Sequence, residues 1–353
     1  MSTIIDLRSD TVTLPPPEMR RAMYEAELGD DVYREDPTIN SLQERTAALL
    51  GMEAALFVPS GTMGNLVAAL THCRRGDEII LGDESHMFHY EGGNSSVLGG
   101  TALHPVPNAP DGTIPLETLR AAVRDPADEH CARTALICLE NTHNRCGGAV
   151  LEPGYMEAVR TVADEIGVPV HLDGARLFNA AVSCGVPVRE LVRGVDSVSF
   201  CFSKGLAAPV GSILCGSRAF IAEALRWRKL VGGGMRQAGV LAAAGLYALE
   251  HMVERLADDH DNARALADGL SEIRGLRLAQ PDVQTNIVIV DVTEAGVDPL
   301  AFVHDLEEVG VLGSHFGGSL VRFVTHYGIE RSDVEEAVAR VHQVMTRRSF
   351  STR

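Results

Sequence analysis

Lysine is almost missing from this sequence: of 31 basic residues, 29 are arginine, and the two lysines are Lys204 and Lys229. Arginine serves as a solvated cation but stays protonated and offers no free amine, so a retained lysine points to amine chemistry wherever its surroundings support it. Basic charge is scarce altogether, since 48 acidic residues give a formal net charge of −17. Such a field repels a phosphate backbone and argues against nucleic acid as a partner. Seven cysteines are present without any C-x-x-C pair, which argues against a disulfide framework and a zinc site and fits a reducing cytoplasm. The longest apolar run, "AGVLAAAGLYAL", is too short to span a bilayer. The start "MSTIIDLRSDT" lacks the basic leader and apolar core of a secretory signal. No fixed-period repeat or low-complexity segment appears.

What is present is a chain of 353 residues, 45% hydrophobic and 22% charged, long enough for two domains. The segment "TLPPPEMR" closes a short N-terminal arm, residues 1–15. From about residue 38 to 215, apolar runs alternate with polar loops and amphipathic stretches: "AALFVPSG", "DEIILGDE", "TALICLEN", "VPVHLDGA", "VDSVSFCFSKG" and "GSILCG". Near-continuous apolar runs of this length predict a mainly parallel sheet covered by helices on both faces. Residues 235 to 273 read as one long helical connection. Beyond it, "GLRLA", "TNIVIVDV" and "SLVRFVTH" read as strands, with "DPLAFVHDLEEVG" and "RSDVEEAVARVHQVMTRR" as helices. The expected division is an arm (1–15), a large α/β domain (16–250) and a smaller α+β domain (251–353).

Ligands bind outside the carboxyl ends of strands in open α/β sheets. The unusual polar residues sit there, in "PSGT", "ESHMFHYEGG", "ENTHN", "DGAR" and "SK", and predict one shared site. At Ser60, Gly61 and Thr62 a strand runs into an apolar helix, whose N-terminus offers free N–H groups to a phosphate, although serine before a helix also serves as a plain N-cap. Asp173 ends one strand and Lys204 follows the end of the next. A lysine for an aldehyde, a carboxylate for a protonated ring nitrogen and a cradle for a phosphate together suit pyridoxal phosphate.

The motifs "DLRSDTVT", "DDVYREDPT", "PSGTMGN", "ESHMFHYEGG", "LENTHN", "HLDGARLFNAA", "SFCFSKGLAAPVGS", "LVGGGMRQAGV" and "VRFVTH" resemble, in order, those of threonine aldolases of the fold type I pyridoxal-phosphate superfamily. The resemblance implies a seven-stranded, mainly parallel sheet and retro-aldol cleavage of L-threonine or L-allo-threonine to glycine and acetaldehyde. It implies Lys204 as the Schiff-base lysine, Asp173 as partner of the pyridine nitrogen, and Ser60, Gly61 and Thr62 as phosphate contacts. By the same resemblance His86 stacks on the cofactor ring, and Ser9, Arg176 and Arg322 bind the substrate carboxylate, with Arg176 also near the cofactor. His86 and His143 lie near the substrate hydroxyl and compete as general base. Tyr33, Tyr90 and Lys229 complete the implied substrate set. Arg236, after three glycines, reads as a cation for the phosphate, contributed by a neighbouring subunit of a dimer within a homotetramer. Arg34 departs from the family, which more often has a small residue there. His171 reads as a packed core residue and His89 as a pocket wall. The expected chemistry needs no metal, no nucleic acid and no membrane. The competing readings are a phenylserine aldolase or a β-eliminating lyase of the same fold, serine hydroxymethyltransferase, and a non-catalytic binding module.

Overall fold

The computed structural model describes residues 4–351, with side chains to Arg348. Seven strands form one sheet: β1 (Ala54–Val58), β2 (Asp77–Gly82), β3 (Ala102–Val106), β4 (Arg133–Glu140), β5 (Val170–Asp173), β6 (Ser197–Cys201) and β7 (Ser212–Gly216). Their order is β1-β7-β6-β5-β4-β2-β3, and only β7 runs antiparallel to its neighbours. Six are the apolar runs of the sequence, buried on both faces as a helix-covered sheet requires. β3 escapes that pattern because "ALHPV" is largely half-exposed and contains Pro105. It lies at the sheet edge, where a proline leaves no ladder partner unserved.

Among the described residues two large hydrophobic cores organise the chain, beside three smaller clusters. The first gathers Met19, Leu42, Phe57, Ile137, Leu172 and Phe200. The second gathers Leu266, Val288, Phe302, Val321 and Phe323 with Ile5 and Leu7 of the arm. The arm strand Ile5–Asp6 pairs in parallel with Val311–Leu312, and Val324 N–H donates to Leu7 O at 2.8 Å. Beside it stands an antiparallel sheet ordered Ser314–His315, Leu320–Val324, Ile287–Asp291, Arg277–Leu278. The expected single helical connection is two helices, Gly239–His251 and Leu256–Ser271. Ala242, Ala244 and Ala248 of the one pack in the first core, while Ala263, Leu266 and Leu270 of the other pack in the second, so the chain must redirect between them.

Among the described residues only Arg34 and Ala207 carry a positive φ without being glycine, at 60° and 62°. Arg34 closes the turn Asp31–Tyr33, donating its N–H to Asp31 O at 3.0 Å, with its side chain exposed. A left-handed conformation costs an L-residue about 1–2 kcal/mol, and glycine returns about 0.5–1 kcal/mol of that as lost chain entropy. Arg34→Gly is therefore expected to raise stability by about 0.5–1 kcal/mol in urea unfolding. A loss of stability would show that the arginine side chain outweighs the backbone strain.

Candidate active site

The ends of β4, β5 and β6 lie side by side, with Glu140 and Ser199 flanking Asp173 in register. Asp173 is buried; its Oδ2 accepts from Asn65 Nδ2 at 2.8 Å and its Oδ1 from Ala175 N–H at 3.1 Å. Gly174 follows because the backbone turns close beneath β6, where an added Cβ would stand 2.8 Å from Ser199 O. Asn65 lies in the apolar helix Gly61–His72. Its Oδ1 accepts from the Ser199 hydroxyl at 2.7 Å and from His171 Nε2 at 3.2 Å. His171 is a packed, hydrogen-bonded core residue, and burial pushes its pKa down to about 3.

The helix carrying Asn65 starts at the expected phosphate motif. Ser60 Oγ accepts from Met63 N–H at 3.2 Å, while the first N–H groups of the helix, those of Gly61 and Thr62, have no intrahelical acceptor. An added Cβ at Gly61 would stand 2.8 Å from Cys201 Sγ at the end of β6, so glycine lets helix and strand approach.

His86 opens the short helix His86–His89 after β2. Its main-chain N–H donates to Glu140 Oε2 at 2.6 Å, and Glu140 Oε1 accepts from Asn144 N–H at 2.8 Å, so one buried carboxylate ties the His86 segment to the segment carrying His143. On the ring side, His86 Nδ1 lies 3.0 Å from Glu91 Oε1, which also accepts from Asn65 Nδ2 at 2.8 Å. Burial alone would lower the His86 pKa, but the bond to Glu91 and the charges of Asp173 and Glu91 raise it above the ordinary value. Burial raises Glu91 in turn, with Asp173 adding to the effect and the His86 and Asn65 bonds opposing it. His143 is buried, and neither ring nitrogen has a hydrogen-bond partner among the described residues. His89 is exposed, bonds to Asp83 O at 2.8 Å and stands outside the main cleft.

That cleft holds about 520 Å³ and is lined by Ser9, His86, Tyr90, Arg176, Lys204 and Arg322, all expected from the sequence. Thr11, Asn144, Arg145 and the 314–317 turn also line it. Lys204 lies in the turn after β6, where Ala207 N–H donates to Lys204 O at 2.8 Å, and its amine has no hydrogen bond or ion pair among the described residues. Arg176 is buried and binds Asp10 through Nε at 2.7 Å and Nη2 at 2.8 Å. Arg322 donates Nη1 to Asn144 Oδ1 at 2.7 Å and stacks 4.6 Å from the Phe316 ring centre. Its Nε is buried without a partner among the described residues, and burial, with the charge of Arg176, pushes its pKa down to about 10. Tyr90 accepts from Arg145 Nη1 at 2.8 Å, and Arg145 is also paired with Glu84.

Eight expected residues are not among its lining: Ser60, Gly61, Thr62, His143 and Asp173, described above, and Tyr33, Lys229 and Arg236. Tyr33 and Lys229 are exposed, and Arg236 is exposed and paired with Asp30 at 3.2 Å. Conversely, Asp10, Asn65 and Glu91 are central yet not singled out by sequence. Their signals lie inside the quoted motifs: Asp10 beside Ser9, Asn65 as the polar residue of an apolar helix, Glu91 one turn beyond His86. Ligand atoms of His86, Glu91 and Asp173 lie within 4.8 Å of one another, but Asn65 points an amide N–H at each carboxylate where a cation would have to sit.

A sheet of this order, with an unpaired lysine and a buried carboxylate at adjacent strand ends, defines the fold type I class of pyridoxal-phosphate-dependent enzymes. Leishmania major threonine aldolase has the same fold, with a TM-score of 0.83 at 19% identity over 96% of this chain and 99% of that one. Sphingomonas wittichii serine palmitoyltransferase shares it at 0.77 and 20% identity over 98% of this chain and 88% of that one. The chain belongs to the beta-eliminating lyase family, which it matches over residues 6–293, and within it to the low-specificity L-threonine aldolases. It is 47% identical over 344 residues to low-specificity L-threonine aldolase 1 of Arabidopsis thaliana, covering 97% of this chain and 96% of that one. To the low specificity L-threonine aldolase of Escherichia coli strain K12 it is 46% identical over 336 residues, covering 95% and 98%.

The Asp10–Arg176 pair makes a stability prediction. Burial works against the Asp10 carboxylate, but the charge and hydrogen bonds of Arg176 outweigh it and hold the carboxyl far below its usual range. Asp10→Asn leaves a buried guanidinium uncompensated, at an expected cost of about 3–5 kcal/mol near neutral pH. Because the native carboxyl is depressed, its contribution is complete above the unfolded value of about 3.9 and fades as pH falls below it. Urea unfolding should therefore show a gap between wild type and Asp10→Asn that is constant from pH 7 to about 4 and narrows as pH falls further. A gap independent of pH would assign the loss to packing instead.

Proposed function

We propose that this chain cleaves L-threonine, L-allo-threonine and related β-hydroxy-α-amino acids to glycine and an aldehyde, acetaldehyde in the case of threonine, with pyridoxal 5′-phosphate as cofactor. The observation that carries the reading is the free amine of Lys204, one strand from the buried Asp173 and in a cleft shared with Arg176 and Arg322. The residues fit the cofactor: Lys204 to hold its aldehyde carbon, Asp173 its ring nitrogen, and Ser60, Gly61 and Thr62 its phosphate at a helix N-terminus. His86 lines the cleft where the ring would lie. When bound, the cofactor supplies an electron sink for the charge left on Cα as the Cα–Cβ bond breaks.

The chain's own residues do the rest. Arg322 and Arg176, with the Ser9 hydroxyl, bind the α-carboxylate, for which a planar guanidinium offers two parallel N–H donors. A base then takes the β-hydroxyl proton, and histidine suits that task near neutral pH. We assign it to His86, which lines the cleft, and give His143 a supporting place beside it. Glycine and aldehyde as products distinguish this reaction from β-elimination, which yields a keto acid and ammonia.

We further propose that the catalytic unit is a dimer, within a tetramer, and that Tyr33, Lys229 and Arg236 reach the neighbouring subunit's site. Their position outside the cleft of their own chain supports this. All seven cysteines are free, and no helix among the described residues is long and apolar enough to cross a membrane. The free thiols support a cytoplasmic location.

Incubation with each of the four threonine stereoisomers, with glycine and acetaldehyde measured together, tests the reaction. Lys204→Ala should lose both the visible absorbance of the lysine-bound cofactor and turnover, whereas Arg322→Ala should keep the absorbance and raise KM for threonine at least about tenfold. Absorbance surviving in Lys204→Ala, or an unchanged KM in Arg322→Ala, would contradict the assignment. Subunit sharing is tested by mixing. Lys204→Ala and Arg236→Ala homodimers should each be nearly inactive, while a mixed dimer collects both lesions in one site and leaves the other intact. Activity should return on co-refolding, and confirmed heterodimers without recovery would place Arg236 in its own subunit's site.

A further inference from the structure

We infer that Glu91 is a positioning residue of the aldol cleavage: it holds His86 with a hydrogen on Nδ1, so that the bare Nε2 is the nitrogen offered to the substrate hydroxyl. The Asn65 amide is fixed from both ends, because its Oδ1 accepts from Ser199 at 2.7 Å and its Nδ2 lies 2.8 Å from both Glu91 Oε1 and Asp173 Oδ2. Glu91 Oε1 therefore receives an N–H that can only donate. His86 Nδ1, 3.0 Å away, shares the same oxygen. An ionised carboxylate only accepts, so the imidazole must donate. A proton on Glu91 Oε2 would be a buried donor without a partner among the described residues, at a cost of about 1–3 kcal/mol, and a proton held on Oε1 facing Nδ1 would sit on the carboxyl, ordinarily the weaker base of the two. His86 Nε2 has no partner among the described residues, and the ring lines the cleft. His89 and His143 show no carboxylate on either ring nitrogen.

The consequence for the reaction is a directed base. The hydroxyl proton passes to Nε2 as the O–H pair becomes the new C=O bond, and the Cα–Cβ pair stays with Cα. Protonation of Cα completes glycine, so no proton is gained or lost overall. The imidazolium formed on the way keeps Glu91 as its counter-charge. The other ionisable groups around the pair are Tyr90, whose ring centre lies 5.4 Å from that of His86, Asp173 on β5, Cys138 on β4, Lys204 after β6 and Glu140, which accepts the His86 main-chain N–H. This inference rests on the aldolase reading only for the identity of the proton taken; the tautomer is independent of it.

Nitrogen-15 histidine NMR on the cofactor-loaded wild-type enzyme, with His86→Asn used to assign the resonance, reads the tautomer directly. With the ring titrated to its neutral form above the raised His86 pKa, hydrogen on Nδ1 and an unprotonated Nε2 are expected, and a neutral ring with its hydrogen on Nε2 in the wild type would overturn the inference without any further variant. Glu91→Gln keeps the shape and removes the charge. It should lower kcat about 10- to 100-fold, leave the threonine KM within about threefold, and move the acidic limb of the kcat/KM profile to lower pH, because His86 loses its counter-charge. A Glu91→Gln enzyme with unchanged kcat and acidic limb would reduce Glu91 to a packing role. Wild-type enzyme that releases no glycine from threonine would sink the aldolase reading while leaving the NMR result to stand or fall alone.

Discussion

The buried ion pair between Asp10 and Arg176 is the contact on which the active cleft depends. Asp10 comes from the arm and Arg176 from the turn after β5, and both side chains are nearly sealed from solvent. Asn286, at the edge of the second core, donates to Asp10 Oδ2 at 3.3 Å and to Thr325 O at 3.0 Å, and Thr325 in turn donates to Asp259 O at 2.6 Å. One carboxylate thereby joins the arm, the large sheet and the smaller unit. Desolvating such a pair gains little net stability, so its value lies in geometry. Ser9 precedes Asp10, Arg176 lines the cleft, and Arg322 enters it from the strand Leu320–Val324. A carboxylate gripped by Arg176 and Arg322 would bridge residues built on the two different cores.

A chain with a net charge of −17 nevertheless presents Arg145, Arg176, Lys204 and Arg322 to one cleft. Local focusing of this kind lets an acidic protein bind anions. Arg322 shows the strain of the arrangement, since burial and the neighbouring Arg176 weaken its hold on the proton. An incoming carboxylate would relieve that strain, and part of its binding energy would then come from the free enzyme's own electrostatic discomfort.

The strands and the strand-end residues were legible because their signals are local. Apolar runs buried on both faces look alike in sequence and structure, and polar clusters after them mark the ligand edge. β3 was not legible, since an edge strand is only half covered and its Pro105 reads as a breaker. The break between Gly239–His251 and Leu256–Ser271 follows from which core each helix packs on, a tertiary fact. Asp10, Asn65 and Glu91 resemble ordinary turn and helix polar residues until burial is known. Tyr33 and Lys229 entered by resemblance and Arg236 through the glycine run before it, and one chain does not bring them to the cleft.

The freedom of the Lys204 amine follows from the partners of the groups around it. Lys229 lies exposed on the helix Arg218–Leu230, whereas Lys204 shares its surroundings with several carboxylates that could capture an ammonium group. Each of them is already committed: Asp10 to Arg176, Asp173 to Asn65 and Ala175, Glu91 to His86 and Asn65, and Glu140 to the main-chain N–H groups of His86 and Asn144. The turn that carries the amine is held by Ala207 N–H to Lys204 O and Ala208 N–H to Phe202 O, with the buried Ala207 forced to a φ of 62°. Strain of this sort persists only where the surroundings over-determine the backbone. The fold thus keeps an unpaired amine at a fixed place within an acidic protein, and it does so by giving every nearby carboxylate a partner that is not lysine.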